Sequence, residues 1–304
     1  MSGGPTGHTP VLLTEVVELL APAPGDTVVD CTVGDGGHAR ALAGVVGPSG
    51  CLVGVDVDPV NLDRAGATLR GLPCRVELVH ANFSELPEVL AERGLGRAHV
   101  LLADLGISST QLDDPQRGFS FQHDSALDMR LDVRLQVTAA DLINRLKERE
   151  LADLLYTNSQ EPGSRAIARA ICAARRDRRI TTTGELASLI ARVLRVDPAS
   201  RKSKIHPATR CFLALRAAVN DELGALQKLL DLAPQVLASG GRFGVISFHS
   251  LEDRLVKNDF RRRQAEGVYE LRTKKPVIAG ETERRDNPRA RSAKLRVAIC
   301  TAPK

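Results

Sequence analysis

The chain has 304 residues, 43% hydrophobic and 26% charged, the composition of a globular protein long enough for one large domain or two ordinary ones. These figures exclude a disordered chain, a collagen and a disulfide-stapled mini-protein, and no apolar run reaches the roughly 18 residues that cross a bilayer. The net charge of +5 is unevenly spread: residues 1–160 carry −10, 161–216 carry +9, 217–253 carry −3 and 254–304 carry +9. Two basic blocks around an acidic body point to a polyanionic partner.

The opening residues form a Gly/Pro/Thr-rich stretch without the basic and apolar regions of a secretory signal, so a cytoplasmic location and no membrane association are expected. The six cysteines form no CxxC pair and none has a histidine at zinc-finger spacing, so they read as reduced thiols and no metal is expected. With no Trp, 2 Tyr and 7 Phe, a surface of many stacked aromatic rings is excluded.

In chain order, Val11 to Leu20 is apolar at helical spacing and Thr27 to Cys31 is a β-branched strand. A Gly-rich turn leads to a helix from His38 to Val46. Cys51–Asp56 is a second strand and Pro59–Leu69 a helix. Arg75–His80 is a third strand, Glu85–Arg93 a helix and His99–Asp104 a fourth strand. Short apolar strands alternating with helices mean right-handed βαβ units on a parallel sheet. From residue 138 to 230 no strand is predicted; Ala139–Tyr156, Ser164–Arg176, Thr183–Leu194 and Ala208–Leu230 read as amphipathic helices. Strands return at Arg242–Ser247, Tyr269–Thr273 and Lys294–Thr301, and the polar stretch Pro276–Ser292 reads as a loop. The fold class expected is α/β, a sheet domain interrupted after its fourth strand by an all-helical insertion.

The first strand runs into Asp30-Cys31-Thr32-Val33-Gly34-Asp35-Gly36-Gly37-His38. Glycines at a strand-to-helix turn let a ligand approach the backbone and allow positive φ. Asp56 ends the second strand 22 residues after Gly34, where a carboxylate binds ribose hydroxyls. No Lys-Ser/Thr follows the glycines, and a full G-x-G-x-x-G is lacking. The ligand therefore needs a ribose but no phosphate cradle, which S-adenosylmethionine fits better than NAD or ATP. Phe83, after the third strand, offers either an adenine face or core packing, and Asp104 ends the fourth strand.

Several segments carry a resemblance: Gly7-His8-Thr9-Pro10-Val11-Leu12-Leu13, Gly34 to His38, Asp104 to Asp113, Arg117 to Phe121, Leu127 to Arg130, His206 to Arg210, Leu215 to Leu223, Ser247 to Arg254 and Asn287 to Arg296. Over nearly the whole chain, in order, they resemble the ribosomal RNA small-subunit methyltransferase H family, also called MraW. The resemblance implies a Rossmann-like class I methyltransferase sheet, residues 1–110 and 217–304, with an inserted helical substrate-recognition domain, residues 111–216. It implies S-adenosylmethionine as cofactor, held at Gly36, Gly37, His38, Asp56, Phe83, Asp104 and Gln111. It also implies methyl transfer to the N4 amine of a cytosine near the decoding centre of 16S ribosomal RNA in the small ribosomal subunit. Two departures stand out. Thr110 replaces the usual proline of Ser-Ser-Pro-Gln, which is expected to loosen that loop. Tyr156 is followed by Thr157-Asn158-Ser159-Gln160-Glu161 instead of the usual Gly-Glu-Glu, which leaves any role of that segment open.

Cytosine N4 is a weak nucleophile, so acceptors that hydrogen-bond the amine would localise its lone pair and take a proton. The Pro-Pro-aromatic loop of many amino-methyltransferases is absent. Asp104 is the catalytic candidate, unless the cofactor uses it fully. Ser108 and Ser109 are alternatives, as are His249 and Asp253, although Ser247, His249 and Glu252 could equally form a structural network. A DNA amino-methyltransferase and a non-catalytic nucleic-acid-binding regulator remain the rival functions. For RNA contact, Arg165, Arg169 and Arg176 fall on one helical face, and Arg175, Arg176, Arg178 and Arg179 carry the charge past the helix end. Arg201, Lys202 and Lys204 extend the same block. The oligomeric state is left open.

Overall fold

The computed structural model describes residues 10–195 and 206–301; Gly7, His8, Thr9, Arg201, Lys202 and Lys204 thus lie outside the described residues. The chain divides into two compact units, Met1–Gly106 with Gly224–Lys304, and Ile107–Leu223. The breaks fall after Gly106 and Leu223, a few residues from the expected 110 and 216.

In the first unit the strands are β1 (Thr27–Asp30), β2 (Cys51–Asp56), β3 (Arg75–His80), β4 (Ala98–Asp104), β5 (Leu237–Ser247), β6 (Tyr269–Leu271) and β7 (Lys294–Cys300). They form one sheet in the order β3-β2-β1-β4-β5-β7-β6, with β3 to β5 parallel and β7 antiparallel to both β5 and β6. Strand side chains alternate between two faces, and so two cores form. Val29, Val53, Val55, Leu101 and Ala103 share one core with Leu86, Val89 and Leu90 of α4 (Leu86–Glu92) and with Leu226 and Leu229. Val28, Leu52, Val100 and Leu102 share the other with Val16 and Leu20 of α1 (Leu13–Leu20) and with Leu42 and Val46 of α2 (Gly37–Val46). Helix α3 (Pro59–Thr68) starts where Asp58 accepts a hydrogen bond from the Val60 N–H and proline occupies the first turn.

The second unit holds α5 (Ser109–Asp113), α6 (Ala139–Arg145), α7 (Glu148–Ser159), α8 (Ser164–Asp177), α9 (Thr183–Leu194) and α10 (Thr209–Val219); α11 (Glu222–Val236) follows, and α12 (Ser250–Ala265) and α13 (Glu281–Asp286) belong to the first unit. The single helix predicted over Ala139–Tyr156 is two, because Leu146 turns extended and Glu150 accepts from the Lys147 N–H to start α7. The helix predicted over Ala208–Leu230 breaks at Asn220 and Asp221, the latter at φ 48°. The predicted loop Pro276–Ser292 contains α13 and a 3-10 turn at Pro288–Arg291. Glu283 of α13 accepts a hydrogen bond from the Leu12 N–H at 2.7 Å, a contact between chain ends that no local signal encodes.

Asn220 also organises the irregular stretch before α6. Its Oδ1 accepts from the Leu131 N–H at 2.7 Å, and its Nδ2 donates to the carbonyls of Met129 and Arg216, each at 2.8 Å. Met129 sits fully buried at φ 66°, a conformation that costs a non-glycine residue about 1–2 kcal/mol. Asn220→Ala should destabilise the protein by about 2–3 kcal/mol through the Leu131 N–H and the Met129 carbonyl left unpaired. Denaturant unfolding should show a lower midpoint with unchanged slope.

Candidate functional site

Strand order runs one way from β1 to β2 to β3 and the other way from β4 to β5, so a crevice opens at the carboxyl edge between β1 and β4. Three carboxylates end adjacent strands there: Asp56 on β2, Asp30 on β1 and Asp104 on β4.

Asp56 is buried and already engaged. Its Oδ2 accepts from the Gly34 N–H at 3.0 Å and from Asn61 Nδ2 at 3.2 Å, and its Oδ1 accepts from the Asp58 N–H at 2.9 Å. Oδ1 keeps one acceptor direction for a ligand hydroxyl. Burial raises its pKa to about 6 despite the donors. The 22-residue spacing from Gly34 is therefore a direct hydrogen bond that shapes the loop. Gly34 and Gly36 take positive φ, and a side chain on Gly37 would come within 2.3 Å of Pro10. The glycines serve backbone shape and close packing as well as ligand approach.

His38 is buried in the first turn of α2, with Nε2 2.8 Å from the Val11 carbonyl and Nδ1 3.5 Å from Asp104 Oδ2. Burial lowers its pKa. Asp104 receives its backbone position from its own N–H donating to Thr32 Oγ1 at 2.7 Å, and its Oδ1 is buried without a hydrogen-bond partner. Burial lifts Asp104 to about 7, opposed by Arg289 and assisted by Glu252. Asp30 is also lifted to about 7 by burial, and the His38 imidazole opposes that shift. Sequence reasoning places Asp30 only as a strand end; the signal it misses is a carboxylate in an otherwise apolar strand.

Phe83 opens a 3-10 turn capped by Asn82 and is partly buried against the α4 core, leaving part of the ring free. The structure thus gathers the turn Gly36–His38, Asp56, Asp104 and Phe83 on one unit's strand edge. Gln111 belongs to the other unit, buried in α5, where its Oε1 accepts from the Ser108 N–H and Ser108 Oγ accepts from its N–H. At Thr110, where loosening is expected, the hydroxyl lies 2.8 Å from Ser108 Oγ, a hydrogen bond that proline could not make. The other departure falls at the end of α7, where Gln160 takes φ 55° and Glu161, buried, accepts from the Gly163 N–H.

His249 caps α12, accepting from the Glu252 N–H, while Glu252 accepts from Phe248 and His249. Asp253 pairs with Arg296 at 2.7 Å and with Lys294 at 3.5 Å. These contacts tie His249, Glu252 and Asp253 into the start of α12, while Ser247 bonds instead toward Lys294. Of the basic residues, Arg165, Arg169, Arg176, Arg178 and Arg179 are exposed. Arg175 is not free for RNA: its guanidinium is tied to the carbonyls of Ile143 and Leu146 at the end of α6. The helical spacing could not show this.

The sequence model of the MraW methylase family matches residues 5–300, almost the whole chain. This chain belongs to that family. Among its relatives are three proteins each named ribosomal RNA small subunit methyltransferase H. That of Deinococcus radiodurans is 48% identical over 95% of this chain and 88% of its own; that of Geobacter sulfurreducens is 46% identical over 96% and 98%; that of Acidobacterium capsulatum is 45% identical over 96% and 97%. Among solved structures the chain is similar to an rRNA methylase from Streptococcus thermophilus, with a TM-score of 0.41 at 12% identity over 97% of this chain and 99% of that one.

The raised carboxylates fix a sign for pH dependence. Between about pH 4 and 7 the folded state of this MraW-family protein holds more protons on Asp30, Asp56 and Asp104 than the unfolded chain does, so stability falls as pH rises through that window. Thermal unfolding of the ligand-free protein from pH 5 to 7.5 should show a falling midpoint. Asp104→Asn should flatten that fall, since every tenfold difference in proton affinity between the folded and unfolded chain is worth about 1.4 kcal/mol. In Asp56→Ala, cofactor affinity should drop roughly ten- to hundredfold by calorimetric titration. The midpoint should drop as well, since the Gly34 and Asp58 N–H groups lose their acceptor.

Proposed function

We propose that the chain uses S-adenosylmethionine to methylate the N4 amine of a cytosine in 16S ribosomal RNA, near the decoding centre of the small ribosomal subunit. Membership of a methylase family supports methyl transfer, and the names of relatives at 45–48% identity support a small-subunit rRNA substrate. The observation that carries the reading is the crevice where strand order reverses, with one bare carboxylate oxygen on Asp104 and one remaining acceptor direction on Asp56.

These residues fit S-adenosylmethionine. Asp56 would hold the ribose, the Gly34–Gly37 turn would lie against it, and buried carboxylates suit a cation better than a phosphate. When bound, that cofactor supplies a methyl group already activated on a sulfonium. The chain's own work is to bind, to exclude water and to accept hydrogen bonds from the amine, which localises its lone pair. Gln111 and Phe83 are assigned to cofactor binding in the same reading. No helix among the described residues is long and apolar enough to cross a membrane, and the protein is assigned to the cytoplasm with the ribosome.

The exposed arginines of α8 and the following turn are assigned to RNA phosphates. Arg169 lies 3.6 Å from Glu148 and Arg179 3.7 Å from Asp141, while Arg178 pairs with Glu185. Exposed pairs of this kind are worth about 0–1 kcal/mol, little enough for phosphate to replace the carboxylate. Arg175 is withdrawn from this set.

Tritiated S-adenosylmethionine offered with small subunits, naked ribosomal RNA or duplex DNA should label the small subunit fastest. Labelling of DNA, or of naked RNA at equal rate, contradicts the assignment. Arg176→Glu, Arg178→Glu and Arg179→Glu together should weaken RNA binding and lower its salt slope by about 2–3, with cofactor affinity unchanged. An unchanged slope rejects α8 as an RNA surface.

A further inference from the structure

Residues 254–304 carry +9, and the arginines of α8 account for none of that charge. Much of it is neutralised where it stands. Helix α12 buries Glu252, Val256, Asp259 and Phe260, and Phe260 meets the rings of Phe243 and Tyr269 at 5.5 and 5.6 Å. Every acid of the helix is taken. Glu252 accepts from the Phe248 and His249 N–H groups, and Asp253 pairs with Arg296 and Lys294. Asp259 pairs with Arg262 at 2.6 Å and Arg263 at 3.1 Å, and Glu266 pairs with Arg262 at 3.2 Å. Asp231 of α11 also faces Arg262 and Arg263.

Arg254, Lys257 and Arg261 stand apart from this network. Steps of three and four residues put them on one helical face, opposite the buried one. Asn258, Gln264 and Ala265 flank them, so the face holds three cations and no acid. Arg254 and Arg261 are exposed and Lys257 is half-buried, and none of the three has an ion-pair partner among the described residues. None lies in the last turn, where a cation would answer the helix dipole; Arg262 and Arg263 do that. Arg272, Lys274 and Lys275 are exposed as well, but they follow directly on β6, the last strand of the sheet, where cations keep an open edge from pairing with another chain. A helix has no such edge to guard. No large apolar side chain of α12 is exposed, so the face lacks what an amphipathic helix needs to enter a lipid surface. From Arg254 to Arg261 the helix rises about 10 Å, a length over which one strand of a nucleic-acid duplex presents about three phosphates.

We propose that this face of α12 is a second docking surface for ribosomal RNA, on which Arg254, Lys257 and Arg261 neutralise successive phosphates of one strand. This rests on the functional reading above. The contact positions the RNA without reading its sequence. The two surfaces lie on different compact units, and each releases its own counterions when it is covered. They differ in readiness. Arg169, Arg178 and Arg179 face acids that phosphate must replace, whereas the α12 cations have no acid to leave. An RNA particle large enough to meet both surfaces gains from the second contact at little further loss of freedom.

The test is binding of the full-length protein to small ribosomal subunits over a series of salt concentrations, without cofactor. Arg254→Gln, Lys257→Gln and Arg261→Gln together should lower the salt slope by about 2–3 and weaken binding at least tenfold near 0.1 M salt. Affinity for S-adenosylmethionine, by calorimetric titration, should stay within about twofold. Arg254→Lys, Lys257→Arg and Arg261→Lys together keep the charges and should keep the slope. Joined to the triple glutamate variant of α8, the glutamine variant should lower the slope by about 5. An unchanged slope in the glutamine variant, a slope lost equally in the charge-keeping variant, or a combined loss no greater than that of α8 alone each overturn the proposal and leave methyl transfer standing. Unchanged binding to the particle together with lost sedimentation on vesicles of anionic phospholipid overturns it in favour of a membrane. Failure of the wild type to bind small subunits overturns the functional reading, and this surface with it.

Discussion

Burial of negative charge at the carboxyl edge of a parallel sheet is the constraint on which the site depends. The sheet places Asp30, Asp56 and Asp104 at the ends of three adjacent strands, two of them nearly inaccessible to water. An ionised carboxylate there needs donors, and Asp56 finds three in the Gly34, Asp58 and Asn61 groups. Those donors are also what shapes the turn between β1 and α2. The strand-end carboxylate and the loop are thus one network, and neither can be altered alone. Asp104 differs: one of its oxygens is left over, and burial opposes its ionisation more than Arg289 favours it. The unused acceptor lies at the carboxyl end of β4, beside the reversal of strand order.

Much of this is legible in the sequence, for definable reasons. Strands β2 and β3 have the predicted bounds because each is a short run closed by turn residues. Helix α9 begins as its Thr-x-x-Glu signal implies, with Thr182 and Glu185 reciprocally bonded. Gly34 and Asp56 are readable as a pair because their spacing reflects one strand-helix-strand unit. The unread parts depend on distant contacts. The helix breaks at Leu146 and Asn220 leave the apolar periodicity intact, and Asn220 is engaged by Met129 and Leu131, 91 and 89 residues earlier. Helix α13 is polar and gives no periodic signal, yet Glu283 is fixed by the Leu12 N–H. Arg175 shares its neighbours' charge, but its guanidinium serves the end of α6, as cations at helix C-termini do.

The two departures from the family pattern show why a substitution must be weighed against its neighbours. Proline before Gln111 would restrict the backbone by removing freedom; Thr110 restricts it by bonding the Ser108 hydroxyl, itself part of the capping box of α5. The short helix that carries Gln111 starts at that capping box. At the end of α7, Gln160 bears the strain of positive φ that a glycine would avoid, and the turn is held by the buried Glu161 carboxylate on the Gly163 N–H.

The raised carboxylates also bear on how the proposed site would tell its substrate cofactor from the spent one. The two differ by a methyl group and by one positive charge at sulfur. Carboxylates whose ionisation is opposed by burial respond to that charge: a sulfonium favours their ionised form, and a neutral thioether does not. Once a sulfonium has given up its methyl group, its Coulombic attraction to such carboxylates is gone. On the proposed reading, the costly feature of the sheet edge, its half-satisfied acidic groups, would make binding depend on the charge of the ligand.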